Sequence, residues 1–229
     1  MCGRFALLTD GETLIEQFDV TQNAELLWPD RPVARYNIAP TQPVAAIRTG
    51  RNGEGKEWAL FGWGLVPSWA KEPSIGSRMI NARSETVAEK PSFRAAYKRR
   101  RCLVPMDGFY EWQKVDGGKQ PHFIHMRDKR PFAVAGLWEF WESPDGSALE
   151  TCTLLTTTPN ELMAELHNRM PVILDPADYN SWLFGEPGDG LQHLLRPCPA
   201  EQMTAYPVSR FVNSPYNDAP ECIAPFAAA

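Results

Sequence analysis

This chain is punctuated at short intervals by residues that form tight turns. Three examples are Arg51-Asn52-Gly53, Asp116-Gly117-Gly118 and Pro144-Asp145-Gly146. Asn-Gly and Asp-Gly pairs favour the positive backbone angles of hairpin turns, and short apolar runs between turns are typical of strands. The spacing therefore predicts a β-rich fold.

The apolar runs and the helical patterns predict the positions of individual elements. Strands are predicted over Val44–Arg48, Trp58–Trp63, Cys102–Pro105, His122–Met126, Phe132–Trp138 and Cys152–Thr156. Helices are predicted over Gly11–Phe18, Ser92–Arg100, Asn160–His167 and Ala177–Phe184. Thr158, Pro159 and Glu161 match a Thr-x-x-Glu capping box, which predicts the start of the third helix. The predicted fold class is α+β, rich in strands and with peripheral helices.

Length and composition indicate a single globular domain. The chain has 229 residues, of which 43% are hydrophobic, enough for one sizeable core. We expect one domain over residues 1–229, with a flexible tail over 224–229. No stretch approaches the length of a membrane span, so we expect no membrane association.

The cysteines indicate a reducing compartment. Their number is odd, at five, and they show neither a CxxC pair nor a metal-ligand spacing with histidine. We therefore expect reduced thiols, no metal, no cofactor and a cytoplasmic location, with nucleoid association when the protein acts on DNA.

Net charge limits how this protein could bind nucleic acid. The formal charge is −5, so the molecule as a whole repels phosphate backbones and would need a local basic surface. The most obvious basic cluster is the run Lys98-Arg99-Arg100-Arg101. We interpret it as a solvated helix end rather than as the primary DNA site.

Cys2 is the residue with the most reactive chemistry. Loss of an initiator Met is usual before a small residue, and it would leave an α-amine and a thiol on Cys2. The reference pKa values, about 8 for the amine and about 8.5 for the thiol, give each a reactive fraction near neutral pH. Such a pair can form a Schiff base with an aldehyde and then close to a thiazolidine. The alternative is a small buried residue at the start of a strand.

The opening Met1-Cys2-Gly3-Arg4-Phe5 resembles the start of the SOS response-associated peptidase (SRAP) family. Further matches follow in order: Arg35-Tyr36-Asn37-Ile38-Ala39-Pro40, Trp63-Gly64-Leu65-Val66-Pro67, Ile80-Asn81-Ala82-Arg83-Ser84-Glu85-Thr86, Asp107-Gly108-Phe109-Tyr110-Glu111-Trp112, His167-Asn168-Arg169-Met170-Pro171 and Pro207-Val208-Ser209. The resemblance extends from Cys2 to Asn213. It implies an α+β fold built on a barrel-like antiparallel sheet.

The resemblance also implies a function. Members of the family sense abasic sites in single-stranded DNA and form a DNA–protein crosslink through the N-terminal cysteine. The ring-opened sugar of an abasic site exposes an aldehyde, which agrees with the chemistry expected of Cys2. Lyase cleavage of the strand and self-cleavage by a peptidase activity are possible accompaniments. We expect a monomer whose partner is single-stranded DNA with an abasic site, and replication-associated protein partners are not identified.

By the resemblance, Asn81, Glu111 and His167 complete the catalytic set with Cys2. Asn81 would orient the amine or the aldehyde oxygen, although it could be an ordinary turn residue. Glu111 lies among aromatic residues that would partly desolvate it and suit it to proton transfer, although surface glutamates are common. His167 would assist sugar ring opening, although it could simply cap its helix.

The same resemblance indicates the DNA-binding residues. Arg4, Arg83 and Arg169 would contact phosphates, unless they only pair with nearby carboxylates. Trp69 would stack on a base or wedge between strands, with Pro40 lining the same site. Family members that carry two adjacent tryptophans differ from this chain, in which Ala70 follows Trp69.

Two other classes of function stay open on the sequence. Glutamine amidotransferases also begin Met-Cys-Gly and use the cysteine to hydrolyse an amide, but the later motifs do not support that class. A non-covalent reader of single-stranded DNA would need only the arginines and Trp69. A glutaminase assay and a crosslinking assay separate these alternatives.

Overall fold

The structure is a computed structural model, and it describes residues 2–23, 34–186 and 189–226. The strands are β1 (Phe5–Leu7), β2 (Arg35–Ile38), β3 (Pro43–Thr49), β4 (Lys56–Trp63), β5 (Asn81–Arg83), β6 (Arg101–Met106), β7 (Gly108–Val115), β8 (Gly118–Met126), β9 (Phe132–Glu142), β10 (Ala148–Thr157), β11 (Met170–Pro171) and β12 (Met203–Pro207). The α-helices are α1 (Gly11–Phe18), α2 (Arg94–Arg99), α3 (Glu161–Ala164), α4 (Tyr179–Phe184) and α5 (Asp189–Gln192). Short 3-10 helices occupy Pro73–Arg78, Pro176–Asp178, Ala200–Gln202, Arg210–Asn213 and Pro220–Cys222.

Five strands close into a barrel, which we call the main barrel. They pair in the order β10-β4-β3-β6-β9, and β9 pairs back with β10. Each pairing is antiparallel except that of β10 with β4, where Cys152 lies opposite Trp63 in parallel register. Closure leaves no open edge among these strands. The prediction of a barrel-like core is confirmed, with one parallel pair in an otherwise antiparallel ring.

β5 continues the parallel pairing where β4 ends. Asn81 lies opposite Leu154, and Arg83 lies opposite Thr156. β11 joins β10 at the same end, where Pro171 pairs with Thr156. These two short strands therefore bring the segments around Asn81 and Arg169 to one end of the barrel.

A second, antiparallel sheet lies beside the main barrel, with the strand order β12-β8-β7-β1-β2. β7 and β8 form a long hairpin that turns at Gly117 and Gly118, both of which have positive φ. β1 contacts β6 of the barrel, which links the two sheets. The start of the chain thus lies at the junction between the sheets.

The six predicted strands and the first two predicted helices are all present. Each of the six strands extends at least one residue beyond its predicted bounds, and the second helix is shorter, at Arg94–Arg99. The α1 helix has the predicted bounds because Asp10 caps it, accepting a hydrogen bond from the Thr13 N–H, and Asp19 ends it in the left-handed region at φ 53°. The predicted fourth helix begins as a 3-10 turn and becomes α-helical only from Tyr179. Of the predicted flexible tail, 227–229 lie outside the described residues.

The predicted cap and the predicted end of the third helix are wrong. The cap is Asn160 rather than Thr158, because the Asn160 side chain accepts the Met163 N–H at 2.8 Å. Asn160 is buried, and its Nδ2 also donates to the Cys198 carbonyl, so tertiary contacts fix it in the capping position. The helix ends at Ala164, which leaves His167 in the following loop. His167 therefore lies three residues beyond the end of the helix that it was predicted to terminate.

The interpretation of Lys98-Arg99-Arg100-Arg101 as a solvated helix end holds for only two of its residues. Lys98 and Arg99 are exposed, whereas Arg100 pairs with Glu139 at 2.6 Å. Arg101 is buried at the start of β6, and its guanidinium donates to five backbone carbonyls around α2 and α4. Within the parts of the chain that the structure covers, no helix is long and apolar enough to cross a membrane.

Candidate active site

Cys2 lies just before β1, opposite the strand that carries Glu111. β1 pairs with β7 so that Phe5 faces Phe109, and the Tyr110 N–H donates to the Arg4 carbonyl at 3.0 Å. Continuing this register brings Glu111 beside Gly3 and next to Cys2. The sheet pairing therefore brings together a thiol and a carboxylate that lie more than a hundred residues apart in sequence.

The Cys2 thiol is held in its protonated form. Its side chain is fully buried, and burial, together with the negative charge of Glu111, raises the pKa of the thiol well above its ordinary value. The expectation of a thiolate fraction near neutral pH is therefore wrong for this environment. Of the two nucleophiles of a freed Cys2, the amine is the one better suited to react first.

Asn81 contacts Cys2 directly. At the start of β5, its Nδ2 donates to the Cys2 carbonyl at 2.8 Å. Its Oδ1 is buried and has no hydrogen-bond donor within the described segments of the chain. A buried amide oxygen beside Cys2 is an acceptor suited to an amine N–H. Asn81 is therefore a contact of Cys2 and not an isolated turn residue.

Glu111 is buried in the middle of β7. Its exposed fraction is 3%, which excludes the alternative of an ordinary surface glutamate. On the other side of the hairpin it lies opposite His122 in register. Its charge acts on the Cys2 thiol, as the pKa direction of Cys2 indicates.

His167 lies on the loop between α3 and β11, which is tied to the site from two sides. Gln113 of β7 donates to the Glu165 carbonyl at 3.0 Å, and Arg169 binds the β10 strand at Thr156. His167 Nδ1 accepts the Arg169 N–H at 3.1 Å. In the neutral ring the proton is therefore on Nε2.

Arg4 is fixed by internal contacts. Its guanidinium donates to Asn37 Oδ1 at 2.8 Å and to the carbonyls of Val212 and Asn213, and it lies 5.9 Å from the ring centroid of Trp112. Desolvation by burial lowers the pKa of Arg4. The predicted phosphate contact stays a prediction, and the geometry assigns Arg4 an additional role in joining β1 to the C-terminal segment.

Asn37 is a residue whose role the sequence did not indicate. It is fully buried, and its Nδ2 lies within hydrogen-bond distance of the carbonyls of Val212, Ser214 and Asn217. It holds the segment against which Arg4 rests. Its position inside one of the family motifs was the available signal.

Arg83 and Arg169 converge on Thr156. Arg83 pairs in register with Thr156 and is exposed, and Arg169 donates to the Thr156 carbonyl. Arg169 also forms a bidentate ion pair with Glu85, at 2.5 and 2.9 Å. Hydrogen bonding to Arg169 lowers the pKa of Glu85. In this state Arg169 has the carboxylate partner that was the alternative to a phosphate contact. Glu85 was not among the predicted site residues.

Trp69 is an exposed aromatic ring, with 57% of its surface accessible. It lines a groove of about 460 Å³ with neighbours that include Ile75 and Arg78. The Trp141 indole donates to the Ala70 carbonyl at 2.8 Å, so Ala70 anchors the loop that presents Trp69. Pro40 lies at the turn into β3 and is half-buried.

Fold and site together define the class: a mixed β-barrel protein in which a cysteine near the chain start contacts a buried amide and lies beside a buried carboxylate. Residues 1–215 match the SOS response associated peptidase (SRAP) family. The chain belongs to this family.

Named relatives agree with this assignment. The chain is 45% identical over 226 residues to the abasic site processing protein YoqW of Bacillus subtilis, covering 97% of this chain and 99% of that one. It is 41% identical to the abasic site processing protein HMCES of Gallus gallus, covering 89% of this chain and 70% of that one. A crystal structure of a protein from Bacteroides thetaiotaomicron has a TM-score of 0.85 and 26% identity, covering 97% and 100% of the two chains.

Proposed function

We propose that this protein processes abasic sites in single-stranded DNA by forming a covalent crosslink through Cys2 after removal of Met1. The observation that carries the proposal is the contact of Cys2 with the Asn81 amide beside the buried Glu111. The names of the relatives supply the substrate class. We propose a single domain that acts as a monomer.

The proposed reaction begins at nitrogen. The Cys2 amine adds to the C1′ aldehyde carbon of the ring-opened sugar and gives a carbinolamine. Loss of water from the carbinolamine gives the Schiff base. The Cys2 sulfur then adds to the imine carbon while the thiol proton passes to nitrogen, which closes a thiazolidine. A thiol kept protonated by burial supports this order, because it competes poorly for the aldehyde at the start.

The proton transfers are assigned to the neighbouring side chains. Asn81 Oδ1 accepts from the amine and directs its lone pair toward the aldehyde. Glu111 removes a proton from the attacking amine and returns one to the departing hydroxyl. His167, with its proton on Nε2, donates to the sugar ring oxygen during ring opening.

Contacts with the DNA strand are assigned to the predicted DNA-binding residues. Arg83 and Arg169 contact phosphates near Thr156, and Arg4 does so beside Cys2. Trp69 stacks on a base, with Pro40 at the edge of the same path. Because Arg169 is bound to Glu85, a phosphate must displace that carboxylate.

A strand-cleaving lyase activity through the same Schiff base belongs to the proposal. Closure by sulfur removes the imine, so crosslinking and lyase cleavage compete for one intermediate. We propose the peptidase activity only as removal of Met1 by the protein itself.

A crosslinking assay tests the proposal. Protein whose mass confirms loss of Met1 is mixed with a single-stranded oligonucleotide containing one abasic site and analysed on a denaturing gel. The wild type is expected to give a heat-stable shifted band. Cys2→Ala keeps an N-terminal amine but no sulfur, so it is expected to lose the stable band and to form an adduct only when borohydride reduces the imine.

Cys198→Ser is the matched control, since Cys198 is another buried free thiol and lies outside the proposed site. It is expected to crosslink like the wild type. Absence of any band with fully processed wild-type protein would contradict the proposal. Glutaminase turnover would favour the amidotransferase class. DNA affinity that is unchanged in Cys2→Ala, with no covalent product, would favour the non-covalent reader.

A further inference from the structure

The main barrel has a second end that the proposed chemistry does not use. β10 runs from Glu150 at this end to Leu154, which lies opposite Asn81, so the two sites are about 13 Å apart along the strand. A cavity of about 440 Å³ opens here, and we call it the basic mouth. Its lining includes four arginines, one glutamate and two aromatic residues: Arg48, Arg51, Arg99, Arg101, Glu150, Trp138 and Phe140.

Strand register shows that several of these side chains point along the barrel interior. Arg48 lies opposite Cys102, and Trp138 lies opposite Cys152, and both cysteines are fully buried. Residues opposite each other in register share a face, so Arg48 and Trp138 face inward as the cysteines do. Phe140 follows Trp138 on the same face and is 44% exposed. The basic mouth is therefore an opening of the barrel, a place where proteins commonly bind ligands.

The floor of the basic mouth is a buried ion cluster. Arg48 pairs with Glu57 at 2.9 Å and with Glu150 at 2.7 Å, and its guanidinium carbon lies 4.7 Å from the Trp138 ring centroid. Both carboxylates are thus engaged by Arg48. Arg48 Nε is buried without an acceptor in the described part of the chain.

The rim of the basic mouth keeps positive charge exposed. Arg51 is 76% exposed at its side chain, with one long contact to Glu57 at 3.6 Å. Arg99 is exposed and comes from the basic run that the proposed DNA path leaves unused. Floor and lining together hold four arginines against two glutamates, in a protein whose net charge is −5. Charge of this sign beside the exposed Phe140 ring matches a phosphate linked to a flat base.

We propose that the basic mouth binds a nucleotide unit of single-stranded nucleic acid, with Arg51 and Arg99 contacting phosphate and Phe140 stacking on the base. That the nucleotide belongs to a DNA strand rests on the proposed function. The affinity of this surface for a nucleotide does not rest on it. No covalent step takes place here. The mouth would hold a part of the strand remote from the abasic site.

Residue-resolved NMR tests this inference on the full chain. Nitrogen-15-labelled protein is titrated with an undamaged oligothymidylate, which has no aldehyde, so the result is independent of crosslinking. The amide signals of Gly50, Arg51 and Phe140 are expected to shift. Arg51→Glu combined with Arg99→Glu is expected to weaken binding at these signals by about tenfold or more. Unchanged signals elsewhere confirm that the variant is folded.

The control is Lys119→Glu combined with Lys129→Glu, which changes net charge equally at exposed positions away from the mouth. It is expected to keep the shifts at the mouth. Phe140→Ala is compared with Leu149→Ala. Leu149 is also an exposed apolar residue, but its side chain lies on the other face of the sheet, so only Phe140→Ala is expected to weaken binding.

The inference is overturned if the mouth signals do not shift when the oligonucleotide is added. It is also overturned if thymidine monophosphate binds there as tightly as the oligonucleotide, because the mouth would then be a free-nucleotide site.

Discussion

Single residues of this protein combine chemical and structural roles. The Cys2 thiol is buried and protonated, and the backbone carbonyl of the same residue accepts a hydrogen bond from Asn81. Arg4 is bound by Asn37 and by the C-terminal segment, so a change at Arg4 would alter packing as well as any phosphate contact. Mutations at this site therefore need a stability measurement beside the activity measurement.

Glu85 is the residue for which the structure makes the clearest functional prediction. It occupies the Arg169 guanidinium with both carboxylate oxygens, in the way that a phosphate would. We expect Glu85→Gln to release Arg169 and to tighten binding of undamaged single-stranded DNA at low salt. One added phosphate contact steepens the dependence of log K on log salt by about one.

Fluorescence anisotropy over a series of salt concentrations measures this effect. Glu89→Gln removes the same charge from a neighbouring exposed glutamate and is expected to leave the salt slope unchanged. Weaker binding by Glu85→Gln would mean that Glu85 positions Arg169 for the strand instead of competing with it.

At the scale of elements, the loop after β4 depends on the close approach of two glycines. Gly64 has φ +134°, and a Cβ there would lie 2.6 Å from the Gly76 carbonyl oxygen. The Leu65 N–H also donates to the Met79 carbonyl, so this contact orders the segment that leads into β5 and Asn81. The loop that carries Trp69 lies between the same two glycines.

We expect Gly64→Ala to lower the free energy of unfolding by more than the roughly 1–3 kcal/mol of backbone strain alone, because it adds a clash with backbone. Urea denaturation measures the change. Gly53→Ala is the control, since Gly53 also has positive φ, at +83°, but a Cβ there would meet nothing within 4 Å. Equal losses in the two variants would show that the approach of Gly64 to Gly76 is not limiting.

At the scale of the whole molecule, buried and partly buried ion pairs connect the stability of the fold to pH. Burial alone would raise the pKa of Glu57, but hydrogen bonding and charge from Arg48 outweigh it and lower that pKa. The pKa of Glu85 is lowered chiefly by its hydrogen bond to Arg169. A carboxyl whose folded pKa is depressed stabilises the fold above its unfolded pKa, about 4.3 for Glu, and loses that contribution as pH falls through the folded value.

We therefore expect the free energy of unfolding to decrease as pH falls below about 4.3, and Glu57→Gln to decrease less over the same range. Chemical denaturation at a series of pH values measures both. Glu54→Gln, at an exposed turn residue, is expected to follow the wild type. An acid dependence in Glu57→Gln as steep as that of the wild type would contradict a role for the Arg48 cluster.

The sequence by itself determined the local features of this protein. Turn residues and apolar runs located the six predicted strands, because hairpin chemistry and strand patterning are encoded within a few neighbouring residues. The motif order indicated the family, which the match over residues 1–215 confirms. Thr158 was mistaken for the cap of the third helix. The actual cap, Asn160, is preferred because it is buried against Cys198, which lies far away in sequence.

Only the tertiary structure decided how distant groups meet. Four features depend on contacts between segments far apart in the chain. They are the closure of the barrel through the parallel β4–β10 pair, the protonated state of the Cys2 thiol, the Arg169–Glu85 pair and the basic mouth. Burial and charge proximity are properties of the packed molecule, and the local sequence does not encode them. The apolar runs that identified each strand could not say which face would line the barrel, because that choice is made by the pairing partners.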